Sequence, residues 1–530
     1  MAGEARSGNE KRASEREPRA YRPARWVSLR RLVQTAAFSA FLVLFIWSRR
    51  GGWPATLVNV PMRLDPLAML AGLLASRAFV AGSAIALIVV LLTLLLGRAW
   101  CGWLCPLGTL LDWLPLRRWR DRRTDVSDVW RGAKHGLLLT ILVAAILGNL
   151  TLLVFDPLTV LFRTLSTAVW PAVDQIVTAA ERALYGVPFL QPAVGAFDRV
   201  IRPVILPIDP VFYRYTALYA DIFIGVVGLN LIAPRFWCRY LCPLGAFLGL
   251  LSKVALVQRE VNEQCTQCDA CARTCPTGTI QSRKAYASDS SECTLCLECQ
   301  DACPVAAIRF PARISAPQWT AYDPGRRHLA TSLGAAIAGI GLFKSNLLTS
   351  REHPRLIRPP GARENDLLEK CIRCGECNRA CPTSAIQPAV SEAGLEGLWT
   401  PVLIPRAGYC DYSCNACGQV CPVEAIPPLG LEEKRRRVVG HATIDENRCI
   451  AWADHADCIV CEEMCPLPDK AIVLEEVEVR TGEGERVTVH HPHVRLPHVL
   501  RDRCIGCGIC EYKCPVNGEA AIRVYVPSEG

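Results

Sequence analysis

Residues 371–382 read CIRCGECNRACP, four cysteines spaced C-x2-C-x2-C-x3-C and closed by proline. The pattern recurs. Cys371, Cys374, Cys377 and Cys381 are matched by Cys265, Cys268, Cys271 and Cys275, by Cys293, Cys296, Cys299 and Cys303, and by Cys504, Cys507, Cys510 and Cys514. Two more quartets lengthen only the first gap: Cys410, Cys414, Cys417 and Cys421, then Cys449, Cys458, Cys461 and Cys465. The cysteines left over form two C-x3-C-P pairs, Cys101/Cys105 and Cys238/Cys242, so all 28 thiols of the 530-residue chain stand in Cys-Pro-terminated sets. Thiols grouped this way are built to hold metal. Cysteines so closely spaced pair poorly with one another, and the chain is far longer than disulfide-dense scaffolds.

The spacing is that of bacterial ferredoxins and selects [4Fe–4S] clusters. Three cysteines on one tight loop reach three corners of a cubane, and the fourth, beyond a short helical turn, points to the neighbouring cluster. The proline after it holds that cysteine extended. Six quartets imply six [4Fe–4S] clusters. Structural zinc also takes four thiolates, but zinc ribbons use separated C-x2-C knuckles. After each Cys-Pro a small spacer leads to an isoleucine (Ile280, Ile308, Ile386, Ile426, Ile472 or Ile522), which is expected to begin a strand over a cluster. The two C-x3-C-P pairs continue instead as CPLG. They would meet across a pseudo-two-fold axis as a seventh metal site, or serve as two dithiol pairs in redox chemistry or assembly.

The chain is 51% hydrophobic with a net charge of +9. Its arginines cluster beside apolar runs, which argues for membrane topology rather than nucleic acid as the origin of that charge. Apolar stretches near residues 32–48, 78–97, 135–155 and 214–233 are of spanning length or close to it. Lys and Arg concentrate in residues 1–31, 98–134 and after 234, which by the positive-inside rule are cytoplasmic. The second and fourth stretches lead into RAWCGWLCPLG and RFWCRYLCPLG, an internal duplication. The expected fold is therefore a membrane α-helical bundle of about four to five spans joined to α+β ferredoxin-like [4Fe–4S] domains. Its expected parts are a basic cytoplasmic arm (1–31), a membrane domain (32–257), a two-cluster domain (258–312), a linker (313–351) and a four-cluster domain (352–530). Asp65-Pro66, Asp156-Pro157 and Asp209-Pro210 stand near span ends as helix starts or, in a sharper reading, as proton-handling groups near a quinol pocket. Asp221 and His135 are weaker single-residue signals.

Residues 26–310, with their paired CGWLCPLG and CRYLCPLG motifs and two quartets, resemble the NapH/MauN ferredoxin-type membrane proteins. Residues 325–530, with RPPGA at 358–362 ahead of CIRCGECNRACP, resemble the NapG/MauM four-cluster proteins. The chain looks like a fusion of the two. The resemblance implies electron transfer from membrane quinol toward a periplasmic acceptor, with a terminal reductase or dehydrogenase as partner and membrane lipid as surroundings.

GRRHLATSLGAAIAGIGLF at residues 325–343 resembles a twin-arginine export signal inside the chain, or else forms a linker helix. If it crosses the inner membrane, the N-terminus and first two clusters are cytoplasmic and the last four periplasmic. With no cluster ligand expected within the membrane, diffusing quinol is the expected link between them. Residues 473–500 read as a β-hairpin, with His490, His491 and His493 in a surface loop or a metal or partner site. Ligand pairing within residues 371–514 stays open, first quartet with second or first with fourth. No nucleophile, acid–base pair or substrate pocket is legible. The rivals to an electron-transfer protein are a maturation or redox-maintenance factor and a wholly cytoplasmic polyferredoxin subunit.

Overall fold

The computed structural model describes residues 25–48, 54–114, 130–206, 211–312, 353–478 and 493–526, with residue 126 and a few positions within 333–341. Most of the basic arm and of the twin-arginine-like stretch, together with Asp209-Pro210, His490 and His491, lie outside the described residues.

The first half is a helical body. Helix α1 (Arg25–Trp47) contains, at Trp26–Trp47, the one segment among the described residues long and apolar enough to cross a membrane. The expected bundle of four to five spans is overturned, for a local reason. Helix α2 (Pro66–Ser76) precedes the second apolar stretch, which splits into a 3₁₀ turn (Ala81–Ile85) and α3 (Ala86–Leu96). Gly97 then stops α3 with φ +66°. Helix α4 (Pro106–Trp113) follows the first C-x3-C-P pair. The third stretch is α5 (Arg131–Ile146), ended before Gly148 at φ +77°, and then a separate 3₁₀ turn at Thr151–Phe155. After α6 (Pro157–Thr164) and α7 (Trp170–Tyr185), the fourth stretch yields α8 (Thr216–Gly228) and another 3₁₀ turn. At 1.5 Å per residue, α3, α5 and α8 are roughly 16, 24 and 20 Å long, against about 30 Å of bilayer hydrocarbon. Helix α9 (Pro243–Ser252) follows the second C-x3-C-P pair.

Aromatic and aliphatic side chains fill this body. Phe45 meets Phe162 and Trp170 edge-on, with ring centroids 5.1 and 5.5 Å apart, in one core with Leu67, Leu138 and Leu244. Outward, Leu32, Leu87, Ile88 and Leu91 remain exposed.

The second half carries the expected α+β ferredoxin-like pieces as two-stranded antiparallel sheets. β1 (Glu260–Val261) pairs with β4 (Ile308–Arg309), and β2 (Ile280–Gln281) with β3 (Ala287–Ser288). β5 (Ile386–Pro388) pairs with β6 (Pro401–Leu403), and β7 (His441–Ile444) with β10 (Ile522–Tyr525). β8 (Ile472–Glu478) and β9 (His493–Val499) form the arms of the expected hairpin. Five of the six isoleucines begin a strand as expected. Ile426 does not: Pro427 and Pro428 follow it, and neither has an N–H to give a ladder.

The two ferredoxin-like modules dock on opposite ends of the helical body, and α1 measures the separation. Arg30 pairs with Glu298 of the first module at 2.7 Å, while Phe45 lies under Arg379 of the second at 4.4 Å from its ring centroid. Fifteen residues of helix between them span about 22 Å.

Candidate metal centres

Each C-x2-C-x2-C loop reverses its backbone around the middle cysteine. Gln267 and Asp269, Leu295 and Leu297, Arg373 and Gly375, Gly506 and Gly508 all have positive φ, flanking Cys268, Cys296, Cys374 and Cys507. Such alternation turns successive N–H groups inward, a concavity that suits anions and cluster sulfur. Backbone N–H groups reach cysteine sulfur at several places: Arg373 to Cys371 at 3.4 Å, Ala307 to Cys303 at 3.3 Å, Ala442 to Cys504 at 3.4 Å. Three residues past the last cysteine of the first four quartets, Gly278, Ala306, Ser384 and Glu424 are again left-handed. Sequence reasoning missed this recurrent strain, because the residue types at those positions vary.

The loops close around pockets. One is lined by Cys265, Cys268, Cys271 and Cys303. A second is lined by Cys371, Cys374, Cys377 and Cys421. A third is lined by Cys449, Cys458, Cys461 and Cys514. In each, three thiols come from one quartet and the fourth from the next. The reciprocal sets appear in the electrostatics: Cys275 faces Cys293, Cys296 and Cys299; Cys381 faces Cys410, Cys414 and Cys417; Cys465 faces Cys507. Within residues 371–514 the first quartet therefore exchanges its last cysteine with the second, and the third with the fourth. The 410 and 504 quartets also touch, Cys410 N donating to Cys507 O at 2.8 Å.

These thiols fit a polynuclear cluster. Burial pushes Cys410 up to about 11, and Cys461 and Cys507 to about 12, with neighbouring thiols adding to the shift. Crowded, buried sulfurs of this kind need bound cations before they ionise together.

The C-x3-C-P pairs form a different centre inside the helical body. Each pair rides on a single π-helical turn, Trp100–Leu104 or Trp237–Leu241, a distortion frequent at functional sites. Cys105 and Cys242 cap the helices that follow, their sulfurs accepting from Gly108 N at 3.5 Å and Gly245 N at 3.2 Å. All four thiols are buried and within electrostatic reach of one another. Buried Arg98 and Arg235, at equivalent points of the duplication, flank them. Arg235 donates to Cys101 O at 3.2 Å and pairs with Asp112 at 2.5 Å. It also senses both Cys238 and Cys296, and so links this centre to the first ferredoxin-like module. Ile372 and Cys374 of the second module share the apolar core that contains all four thiols.

Arginines and one acid seat the first module. Glu292 meets Lys134 at 2.5 Å, Arg98 at 3.0 Å and Arg131 at 3.4 Å. Burial works against its ionisation, yet the three cations hold it down to about 2. The duplicated motifs dock differently at matching positions. Gly102 lets the chain approach so closely that a Cβ there would stand 2.2 Å from Thr294 O, whereas Arg239 donates to Pro276 O at 2.6 Å. The second module is held through carbonyls: Arg163 donates to Arg373 O and to Trp399 O, Arg373 to Thr151 at 3.2 Å, and Tyr213 to Asn378 O at 3.1 Å. Arg379 stacks on Phe45 and Trp170 at 4.4 and 4.6 Å.

The remaining expected residues do not line these centres. Asp221 is exposed on α8, and His135 Nδ1 donates within its own helix to Arg131 O at 3.1 Å. Asp65 and Asp156 are helix N-caps, each carboxylate accepting two backbone N–H bonds.

A family model described as a 4Fe-4S binding domain matches residues 78–124 and 222–261, the two regions that carry the C-x3-C-P pairs. A 4Fe-4S dicluster domain model matches residues 285–382, and a further 4Fe-4S binding domain model residues 497–518. The dicluster match runs across the 293 and 371 quartets, which the structure separates to opposite ends of the helical body. Methylamine utilization ferredoxin-type protein MauM of Methylorubrum extorquens is 35% identical over 211 residues, 38% of this chain and 89% of that protein. Ferredoxin-type protein NapG of Escherichia coli K12 is 33% identical over 201 residues, 37% and 80% of the two chains. Methylamine utilization ferredoxin-type protein MauN of Methylorubrum extorquens is 28% identical over 268 residues, 48% of this chain and 76% of its own. No solved structure matches.

Proposed function

The chain belongs to the ferredoxin-type [4Fe–4S] proteins that include MauM and NapG, and from that premise we propose that it carries electrons from quinol, or from a membrane partner, to a terminal oxidoreductase. The observation that carries this reading is the sharing of cysteines between quartets, which gives six four-thiol sets in an unbroken order of neighbours within each module. In that reading the sets are 265/268/271/303 and 293/296/299/275 at one end, and 371/374/377/421, 410/414/417/381, 504/507/510/465 and 449/458/461/514 at the other. Bound there, a [4Fe–4S] cluster supplies one-electron storage and transfer. The chain's own residues hold the sulfurs at fixed spacing, aim N–H groups at them and bury them, which sets their potentials.

Cys101, Cys105, Cys238 and Cys242 are assigned in the same proposal to a seventh metal centre between the two modules. Burial of all four disfavours an exchangeable dithiol, and with it the maintenance-factor reading. Exposed apolar residues on α1 and α3 support contact with lipid or with a membrane partner. In this proposal α1 is an inner-membrane anchor.

The test is anaerobic mixing of the iron-loaded chain with a soluble quinol, following visible bleaching of the clusters. Bleaching at the rate of quinol oxidation supports the proposal. Clusters that bleach with dithionite but not with quinol would move the electron source to a protein partner. Unchanged electron flux with loss of a partner's cofactor would favour the maintenance reading.

A further inference from the structure

Two carboxyl groups meet in the interior with no ion-pair partner among the described residues, and no function so far described uses them. Asp65 Oδ1 caps α2, accepting from Leu67 N at 2.8 Å and Ala68 N at 3.2 Å. Asp156 Oδ2 caps α6, accepting from Leu158 N at 2.9 Å and Thr159 N at 3.1 Å. The two carboxyl groups lie within hydrogen-bonding reach of each other, and both residues are at least 97% buried. Asp156 Oδ1 has no N–H or O–H donor. A buried acceptor without a donor is costly, and two buried carboxylates in contact are more costly still. One proton between them removes both costs, because the protonated carboxyl donates to the ionised one.

The charged groups on the surrounding elements are engaged elsewhere. Arg163 serves the Arg373 and Trp399 carbonyls, Lys134 serves Glu292, Asp112 serves Arg235, and His135 bonds within its helix. Arg63 lies against Gly82 and Glu369 against Gly148, and Asp221 is exposed. On the helix α10 (Glu364–Lys370), which packs on α2, Glu364 pairs with Arg358 and Asp366 with Lys370. Burial is accordingly the first cause that pushes both carboxyls above the usual carboxylate range, with the charge of Asp65 adding to the shift at Asp156.

The pair sits at the root of the second module's docking. The helix that Asp156 caps presents Thr159 to Ile372 O at 3.5 Å and Arg163 to Arg373 O, the two backbone carbonyls between Cys371 and Cys374. Leu158, Ile372 and Cys374 share one dry core. In such a medium, charge added to the neighbouring cavity raises the proton affinity of the pair.

We propose that Asp65 and Asp156 hold one proton between them and act as a proton site linked to the charge of the cavity lined by Cys371, Cys374, Cys377 and Cys421. The link rests on the electron-carrier reading; the shared proton does not. One electron entering that cavity favours uptake of one proton from solvent by the pair, and oxidation releases it.

Infrared spectroscopy separates the two parts. In the oxidised full chain, the pair gives a protonated-carboxyl band near neutral pH that shifts in ²H₂O. Asp65→Asn and Asp156→Asn each abolish it, since an asparagine still caps its helix and its amide donates to the remaining carboxylate. Unchanged circular dichroism certifies the fold, and either variant alone suffices. Absence of the band, or its survival in a folded variant, overturns the shared proton whether or not the chain carries electrons. Reduction with dithionite then increases the band in the wild type, and the midpoint potential of one cluster falls as pH rises; both responses vanish in the variants. A band indifferent to reduction overturns the link, while failure of quinol to bleach the clusters touches only the proposed electron source.

Discussion

The two ends of the helical body grip similar cysteine loops with a different balance of forces. At the first module a buried ion cluster is added to carbonyl donors such as Arg239: one buried glutamate, Glu292, is surrounded by Arg98, Arg131 and Lys134, and Arg30 reaches Glu298. At the second, Arg163 and Arg373 donate to backbone carbonyls and hydroxyls, and Arg379 is held between two aromatic rings. A buried ion cluster is only as good as its last partner, because removing one leaves charge stranded in low dielectric. Donation to carbonyls loses less when it fails, and is indifferent to acid. The two ends should therefore differ in how they fail.

The most damaging test concerns what both ends share. Cys421→Ser should strip the iron of the site formed with Cys371, Cys374 and Cys377, and leave that of Cys410, Cys414 and Cys417 with Cys381. Iron and sulfide analysis with electron paramagnetic resonance reads this directly; loss of the 410 site instead would break the exchange of ligands. Next, Glu292→Gln leaves three buried cations around a neutral amide and should destabilise by about 3–5 kcal/mol in urea unfolding. Arg163→Met removes donors from the Arg373 and Trp399 carbonyls and should cost about 1–3 kcal/mol. Equal losses at the two ends would erase the contrast.

The smallest effect is one of pH. Burial opposes ionisation of Asp112, but Arg235, with help from Arg30 and Gln34, holds its carboxyl below the usual 3.8. Its contribution is therefore complete above the unfolded value and is lost as pH falls through the folded one. Asp112→Asn should lower thermal stability at neutral pH and flatten the acid limb below pH 3.8, where variant and wild type converge. An unchanged acid limb would mean that the Arg235 pair contributes little.

Cysteine spacing made the cluster loops and five of six isoleucine-led strands legible, because a thiol triplet admits one loop geometry. It could not reveal which quartet supplies each fourth ligand, since that cysteine lies beyond a turn and its destination is tertiary. The apolar stretches misled because hydropathy counts residues, whereas Gly97, Gly148 and the 3₁₀ turns interrupt the helices that would have to be continuous. Arg98, Arg235 and Arg239 were legible as basic residues at apolar boundaries, but their buried seats required the docked modules. Asp65 and Asp156 are the caps that their Asp-Pro steps announced, while Asp209-Pro210 lies outside the described residues. That the two caps meet is a property of how α2 and α6 pack, which no local pattern records.

The exchange of fourth cysteines also bears on biogenesis. A loop with three thiols is an incomplete receptor until the next quartet has been synthesised and folded against it, some 30 to 50 residues later in the chain. In the proposed six-cluster reading, iron loading does not proceed quartet by quartet along the emerging polypeptide: it waits for pairs, and a truncation within any pair costs two clusters.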